Sequence, residues 1–563
     1  MLKYAIQILF FLVLLVVGLC IYRDYGISSD EPFSRANGAV TLKYVAERFA
    51  RIYRDYGISS DEPFSRANEA VTLKYVAERF APSLIKGAAN SLPSWVARSS
   101  LNEWPDRDYG IAFEAPAVAL EVILGISNQK NVYMFRHLLT FLVALSGIFA
   151  VHRMVERRFS DWRIGLLAAL FLVLTPRLFA ESFYNSKDVV FMAFFAIAMN
   201  TMIKFVLDPS FRSALLHGLA SAVAIDVRIM AVILPTATVT ILIIRLLKRE
   251  LPIPLTCRAV AGYLAAACIF VLMMWPWLWS DPIGNIVQAF MNMTKFRWPG
   301  EVRYMGRFVL ASDLPWHYIP VWISITTPLL YLGLFIVGAF NTLRNIASRG
   351  MRLWNGDEEL QDAIFLGLFA TPILAVILLR SVLYDGWRQL YFIYPAFLLV
   401  AIGGWISLWG KNLAWTIRKS VLAVITAISM VYTAAWMWRA HPFQNVYFNT
   451  LAWTDLRSQY ELDYWGLANR KALEYILNND KSEVVYVQAD SDTPLATAFE
   501  MIDEQDRRRL KYSDDPNLSR YAITNYRGVR DLDDTKYAND YVPFYRVQVD
   551  DEVILSVFHR KEP

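Results

Sequence analysis

Residues 185–206 read NSKDVVFMAFFAIAMNTMIKFV. The polar tetrad Asn185-Ser186-Lys187-Asp188 runs straight into a stretch whose polar side chains are Asn200, Thr201 and Lys204. At about 1.5 Å of rise per residue, an 18-residue helix over 189–206 spans about 27 Å. That is close to the hydrocarbon thickness of a bilayer, about 30 Å. The stretch therefore predicts a membrane-crossing helix with a charged group at its start. Comparable apolar runs lie near 4–21, 133–151, 163–180, 213–229, 230–247, 259–279, 319–341, 363–379, 389–408 and 420–439, eleven crossings in all with 189–206.

Composition agrees. Of 563 residues, 56% are hydrophobic and only 19% charged, with a mean hydropathy of +0.31; soluble domains carry about 25% charged residues. The expected fold is a polytopic α-helical membrane protein spanning 1–440, followed by a small C-terminal α/β domain over 441–563. In that tail the sequence predicts a helix over 467–478, strands at 483–488 and 519–525, and a hairpin of 541–549 and 552–559 turning at Asp550-Asp551. Cys20, Cys257 and Cys268 sit in or beside apolar runs and imply no disulfide framework. The net charge of +5 lies mainly between apolar runs, where topology explains it, so no nucleic-acid partner is expected.

One apolar run, Ile111–Ile126, carries Glu114 and Glu121 and is short. Reading it as an interfacial helix puts Arg153/Arg157/Arg158/Arg163, Lys248/Arg249, Arg344/Arg349/Arg352 and Lys411/Arg418/Lys419 all on the cytoplasmic side. The N-terminus is then inside. The first long loop (22–132), the loop near 280–318 and the C-terminal domain are outside. The expected location is a bacterial inner (plasma) membrane, with the C-terminal domain periplasmic or extracellular.

Residues 21–50 and 52–81 are a tandem duplication, identical except for Gly38 in the first copy and Glu69 in the second. Each copy presents an acidic pair, Asp30-Glu31 or Asp61-Glu62, ahead of an amphipathic helical pattern. Either pair can stand next to the end of the first helix.

On this topology, ionisable residues gather where helices meet the outer face. They are the Asp-Glu pair, Asn185 with Lys187 and Asp188, Asp226 with Arg228, the Trp316-His317 stretch, and Asp385 with Arg388. A carboxylate there can take a proton from an attacking hydroxyl, and cations can neutralise a departing lipid phosphate. The same residues also suit blander roles. Asp30-Glu31 can cap a helix, and the tryptophans suit an aromatic belt.

The ordered motifs resemble the GT-C superfamily, and within it the family 39 glycosyltransferases, which include protein O-mannosyltransferases and lipid A aminoarabinose transferases. The resemblance rests on several motifs: the acidic pair after the first helix, the long first outer loop, and Pro176 with Asn185-x-Lys187-Asp188. Pro315-Trp316-His317-Tyr318 and Trp387-Arg388 with Tyr391 and Pro395 complete it. It implies an inverting transferase of a hexose or pentose, using a polyprenyl-phosphate sugar and a hydroxyl acceptor of unspecified kind (protein, lipid or glycan). Asp30 or Asp61 would be the base, assisted by Glu31 or Glu62, with Asp188 as a second site carboxylate. Lys187, Arg228 and Arg388 would face the lipid phosphate, and Asn185, Trp316 and His317 would line the substrate. The resemblance leaves a shared divalent cation open, and no metal ligands are assigned. Glu114-Ala115-Pro116 departs from the aminoarabinose transferases, which carry a lysine before the proline. A transporter or a non-catalytic scaffold is the alternative. No repeated hydropathy halves support the former, and the latter leaves the converging carboxylates unexplained.

Overall fold

The structure is a computed structural model that describes residues 2–55, 101, 106–410, 416–452 and 455–561. Helices α1 (Leu2–Ile21), α2 (Glu31–Asp55), α3 (Glu114–Ile123), α4 (Gln129–Phe159), α5 (Trp162–Val173) and α6 (Pro176–Tyr184) lead into α7 (Asp188–Leu207) and α8 (Phe211–Val227). Then follow α9 (Ile233–Leu247), α10 (Ile253–Met274), α11 (Pro282–Thr294), α12 (Tyr318–Thr326), α13 (Leu329–Arg349), α14 (Gly356–Leu379), α15 (Tyr394–Trp409) and α16 (Ile417–Ala440). Among the described residues nine helices are long and apolar enough to cross a bilayer, and a tenth crossing arises if the bent pair α5–α6 counts as one. Helix α8, where the sequence predicts the remaining crossing, packs between α7 and α10 but at 17 residues is not among those helices. The protein is a multi-pass membrane protein.

Two predicted crossings are broken. The run 163–180 bends by 73° between α5 and α6, where Pro176 starts a new helix. The run 319–341 divides at Thr327-Pro328 into α12 and α13. A proline removes a backbone donor and restricts the residue before it, so each break falls where the sequence cannot continue a helix. The run 111–126 folds as the ten-residue α3. Its two carboxylates do not face lipid: Glu114 pairs with Arg136 of α4, and Glu121 accepts from both Arg35 (3.0 Å) and Arg136 (2.9 Å).

Small residues allow the helices to close on one another, as is usual where lipid offers no hydrophobic drive. A Cβ on Gly338 of α13 would strike the Val400 carbonyl of α15, and one on Gly218 of α8 would meet Ala266 Cβ of α10 at 2.7 Å. Ion pairs mark the two ends of the bundle. At one, Arg158 holds Asp362 (2.8 Å) and Glu358 (3.3 Å), Arg245 holds Glu250, and Lys248 reaches the Trp354 carbonyl. Asp188, at the opposite end of α7, stands with Arg228 and Arg388.

The C-terminal part forms a five-stranded sheet of order β4-β3-β5-β7-β6, from β3 (Val485–Ala489), β4 (Leu510–Tyr512), β5 (Tyr521–Thr524), β6 (Tyr541–Val549) and β7 (Glu552–Arg560). Strand β3 runs parallel to β4 and β5, whereas β7 is antiparallel to β5 and β6. Helix α17 (Ala468–Asn479) packs its Ala472, Leu473 and Ile476 into the core. The sequence pattern does not signal the short β4, nor the hairpin of β1 (Glu301–Tyr304) and β2 (Arg307–Leu310) in the second outer loop. That hairpin docks on the tail through a Tyr304–Tyr460 bridge and the Gly306 N–H on the Gln459 carbonyl.

Candidate active site

The turn between α1 and α2 is pinned before it delivers its acidic pair. Tyr25 stacks on Phe183 of α6 at 4.6 Å, and the Ser28 hydroxyl donates to the Tyr184 carbonyl. Glu31 turns back into this frame: it accepts from the Ser28 N–H at 2.7 Å and lies 2.9 Å from His137 Nε2. Asp30, one residue earlier, points the other way. Its Oδ2 accepts from Arg388 Nη1 at 3.1 Å.

The same Arg388 Nη1 donates to Asp188 Oδ2 at 2.9 Å, so one nitrogen joins the first-loop carboxylate to the carboxylate at the start of α7. Arg228 closes on the other Asp188 oxygen. Asn185 completes the frame: its amide donates to Asp188 Oδ2 (3.1 Å) and to Glu181 (2.6 Å), and its carbonyl receives the Asp188 N–H (2.8 Å). Arg388 also donates to Asp385 at 3.2 Å, and its guanidinium lies 4.8 Å from the Tyr384 ring and 4.5 Å from the Trp465 ring.

Exposure separates the carboxylates. The Asp188 side chain is 1% exposed and fully engaged, whereas Asp30 is 30% exposed with one partner. Of the two, Asp30 is the carboxylate open to solvent. Burial pushes its carboxyl up, but Arg388, Lys187 and Arg228 together outweigh that and hold it below its ordinary value. It stays ionised at neutral pH.

The remaining predicted residues divide. Lys187 pairs with Asp106 at 3.2 Å and lies 4.8 Å from the Tyr109 ring, at the rim of this cluster. Glu31 faces His137 instead of Arg388. His317 meets the Tyr304 hydroxyl at 2.7 Å, and Trp316 is 69% exposed; neither contacts the carboxylates. Asp226 anchors the first loop by accepting from the Ala112 N–H at 2.5 Å. Asp61 and Glu62 lie outside the described residues. Among the described residues no three His, Cys, Asp or Glu side chains gather as metal ligands. The Asp188 oxygens face guanidinium groups, a donor set that does not fit a divalent cation.

The cluster opens onto an apolar cavity of about 290 Å³ whose lining runs from Tyr109, Arg228 and Tyr384 to Ile233, Thr236, Thr371 and Ala375, between α9 and α14. A second cavity of about 330 Å³ shares Ile233, Thr236 and Thr371 and continues toward Trp354 at the other end of the bundle. Sequence reading missed Asp106, Tyr109, Trp465 and Arg527, which reach the cluster from loops and from the tail.

Residues 120–279, which include Asn185, Lys187, Asp188 and Arg228, match the family described as dolichyl-phosphate-mannose-protein mannosyltransferase. The match covers less than a third of the chain. Solved structures similar to this chain include ArnT from Cupriavidus metallidurans in the apo state, 12% identical with a TM-score of 0.49 over 99% of this chain and 98% of that one. Another is ArnT from the same organism bound to undecaprenyl phosphate, 13% identical with a TM-score of 0.43 over 98% of each chain. No curated protein matches this chain.

Proposed function

We propose that the protein is an inverting glycosyltransferase that moves a sugar from a polyprenyl-phosphate carrier to a hydroxyl acceptor at the outer, periplasmic membrane face. One observation carries this reading: the apolar cavity between α9 and α14 ends on Arg228, which ion-pairs Asp188 within the cluster that holds Asp30. A hydrocarbon slot headed by cations suits an isoprenoid phosphate, since the chain leaves water while the phosphate meets charged donors. The family match, described for a dolichyl-phosphate-linked sugar, supports the same donor class.

In this reading the acceptor oxygen bonds to the anomeric carbon as the carbon–oxygen bond to the phosphate breaks. The electron pair leaves on the phosphate oxygen, where Arg228 and Arg388 oppose the growing charge. The Asp30 carboxylate takes the acceptor proton. Attack and departure on opposite faces of one carbon invert it. Asp188 holds both arginines in place. Lys187 at the rim adds positive potential.

The basic residues Arg158, Arg245 and Lys248 at the opposite end support a cytoplasmic position for that end, by the positive-inside rule, and an outer one for the cluster. Ser160→Cys, in a chain with Cys20, Cys257 and Cys268 replaced, is expected to resist an impermeant thiol reagent in intact cells; labelling would reverse the orientation. The activity is tested by transfer from a radiolabelled polyprenyl-phosphate sugar in membranes. Asp30→Asn is expected to lower transfer by about 10²–10⁴-fold, and Asp61→Asn to leave it unchanged. Full activity in Asp30→Asn would remove the base.

A further inference from the structure

The C-terminal domain reaches the charged cluster with Trp465, against the Arg388 guanidinium, and with one cation, Arg527. Arg527 lies in the turn after β5, between Tyr526 and Gly528, both at positive φ (64° and 70°). The Tyr526 hydroxyl holds that turn through Ser556 (2.6 Å) and Asp534 (2.9 Å), and a Cβ on Gly528 would strike the Asp492 carboxylate. The turn thus has a fixed shape that a generic surface loop would not need. It directs Arg527 Nη2 to Asp385 Oδ1 at 2.8 Å, while Nη1 donates to the Tyr464 carbonyl at 2.9 Å.

Asp385 is 3% exposed and itself sits at φ +55°, followed by Gly386 at +74°. Its other oxygen accepts from Arg388 Nη2. Charges therefore alternate along one line: Arg527, Asp385, Arg388, then Asp30 and Asp188, with Arg228 beyond. Arg388 itself faces three carboxylates. Arg527 is the second cation on Asp385. Without it, Asp385 would pull harder on Arg388 and draw it from Asp30.

We propose that Arg527 is a positioning residue for glycosyl transfer: by holding Asp385 it fixes Arg388 against Asp30 and Asp188, which makes the C-terminal domain part of the working site. This rests on the reading of the cluster as a transferase site. Arg527 touches no reacting atom in this scheme, so its loss should slow turnover and leave donor binding nearly unchanged.

The test uses the full-length protein in membranes with a polyprenyl-phosphate sugar. Arg527→Gln is expected to lower kcat about tenfold, with the donor KM within about twofold. Asp385→Asn removes the charge that Arg527 balances, so Arg527→Gln added to Asp385→Asn should cost nothing further. Arg527→Lys, which keeps the charge but cannot span both Tyr464 and Asp385, is expected to fall between wild type and Arg527→Gln. It serves in the same cycle if the Gln variant does not fold. Wild-type kcat in both Arg527 variants, or losses that multiply with Asp385→Asn, would overturn the proposal. An inactive wild-type protein would instead overturn the transferase reading on which it rests.

Discussion

Gly38 of α2 lies against the backbone of Glu114 in α3: a Cβ on that glycine would stand 2.6 Å from the Glu114 carbonyl oxygen and 2.7 Å from its carbonyl carbon. Backbone cannot swing aside as a side chain can, so the contact admits glycine and little else. Gly38 is also the one position at which the duplicated segments differ, with Glu69 in the second copy. A chain seated through the second copy would have to press a glutamate into α3.

Two deletions test this directly, because each leaves a natural junction. Removing 51–81 leaves the first copy alone, and removing 21–51 leaves the second. The two products differ only in glycine or glutamate at the contact. The first is expected to keep transferase activity and the second to lose at least about tenfold, since overpacking of this kind costs about 1–3 kcal/mol. Glu69→Gly in the second product should restore it. Equal activity in both products would show that the glycine contact does not choose the copy.

Much of this was legible in the sequence. Apolar length marked the crossings, and the charged residues at their ends marked where Asp188, Arg228 and Arg388 would meet. Alternating Val, Tyr and Ile residues marked β3, β5 and the β6–β7 hairpin. What stayed hidden has a common cause. Arg527 and Trp465 approach the cluster from a domain far along the chain, and Tyr109 and Asp106 from a loop; sequence spacing carries no signal for such contacts. The inward turn of Glu114 and Glu121 was hidden as well, because their partners Arg35 and Arg136 lie on other helices.

The apolar cavity predicts a dependence on donor chain length. Thr236 lines both cavities between α9 and α14. Thr236→Trp is expected to obstruct the slot below the headgroup. The KM for a long polyprenyl-phosphate sugar should rise about tenfold, roughly the loss of two buried methylenes, while a donor with a short isoprenoid tail should be unaffected. Equal effects on both donors would place the chain elsewhere.

Arg228 and Lys187 should differ in weight. Arg228 is buried against Asp188, whereas Lys187 is shared with Asp106 at the rim. Arg228→Met leaves Asp188 with Arg388 as its one cation, and is expected to lower kcat/KM by about 10²–10³-fold. Lys187→Met should lower it by no more than about tenfold. Kinetics with a fixed donor and varied acceptor would check the order, and a larger effect at Lys187 would reassign the phosphate contact.

The C-terminal domain should lose stability as pH rises. Burial pushes the Glu461 carboxyl up to about 7, against the lowering influence of Arg527 and Arg303 and with Asp385 adding to the rise. Asp463 is raised in the same way, to about 6. A carboxyl whose folded value is raised binds more protons folded than unfolded between the two values, so the stability of the fold falls as pH climbs from about 4.5 through 7 and levels off above. For Glu461 the change is on the order of 3 kcal/mol at most. Glu461→Gln carries no such charge. It is expected to melt higher than wild type at pH 8 and to match it at pH 5, measured by thermal unfolding of the purified protein in detergent. Parallel melting curves for the two proteins across that range would mean that Glu461 enters the fold already ionised.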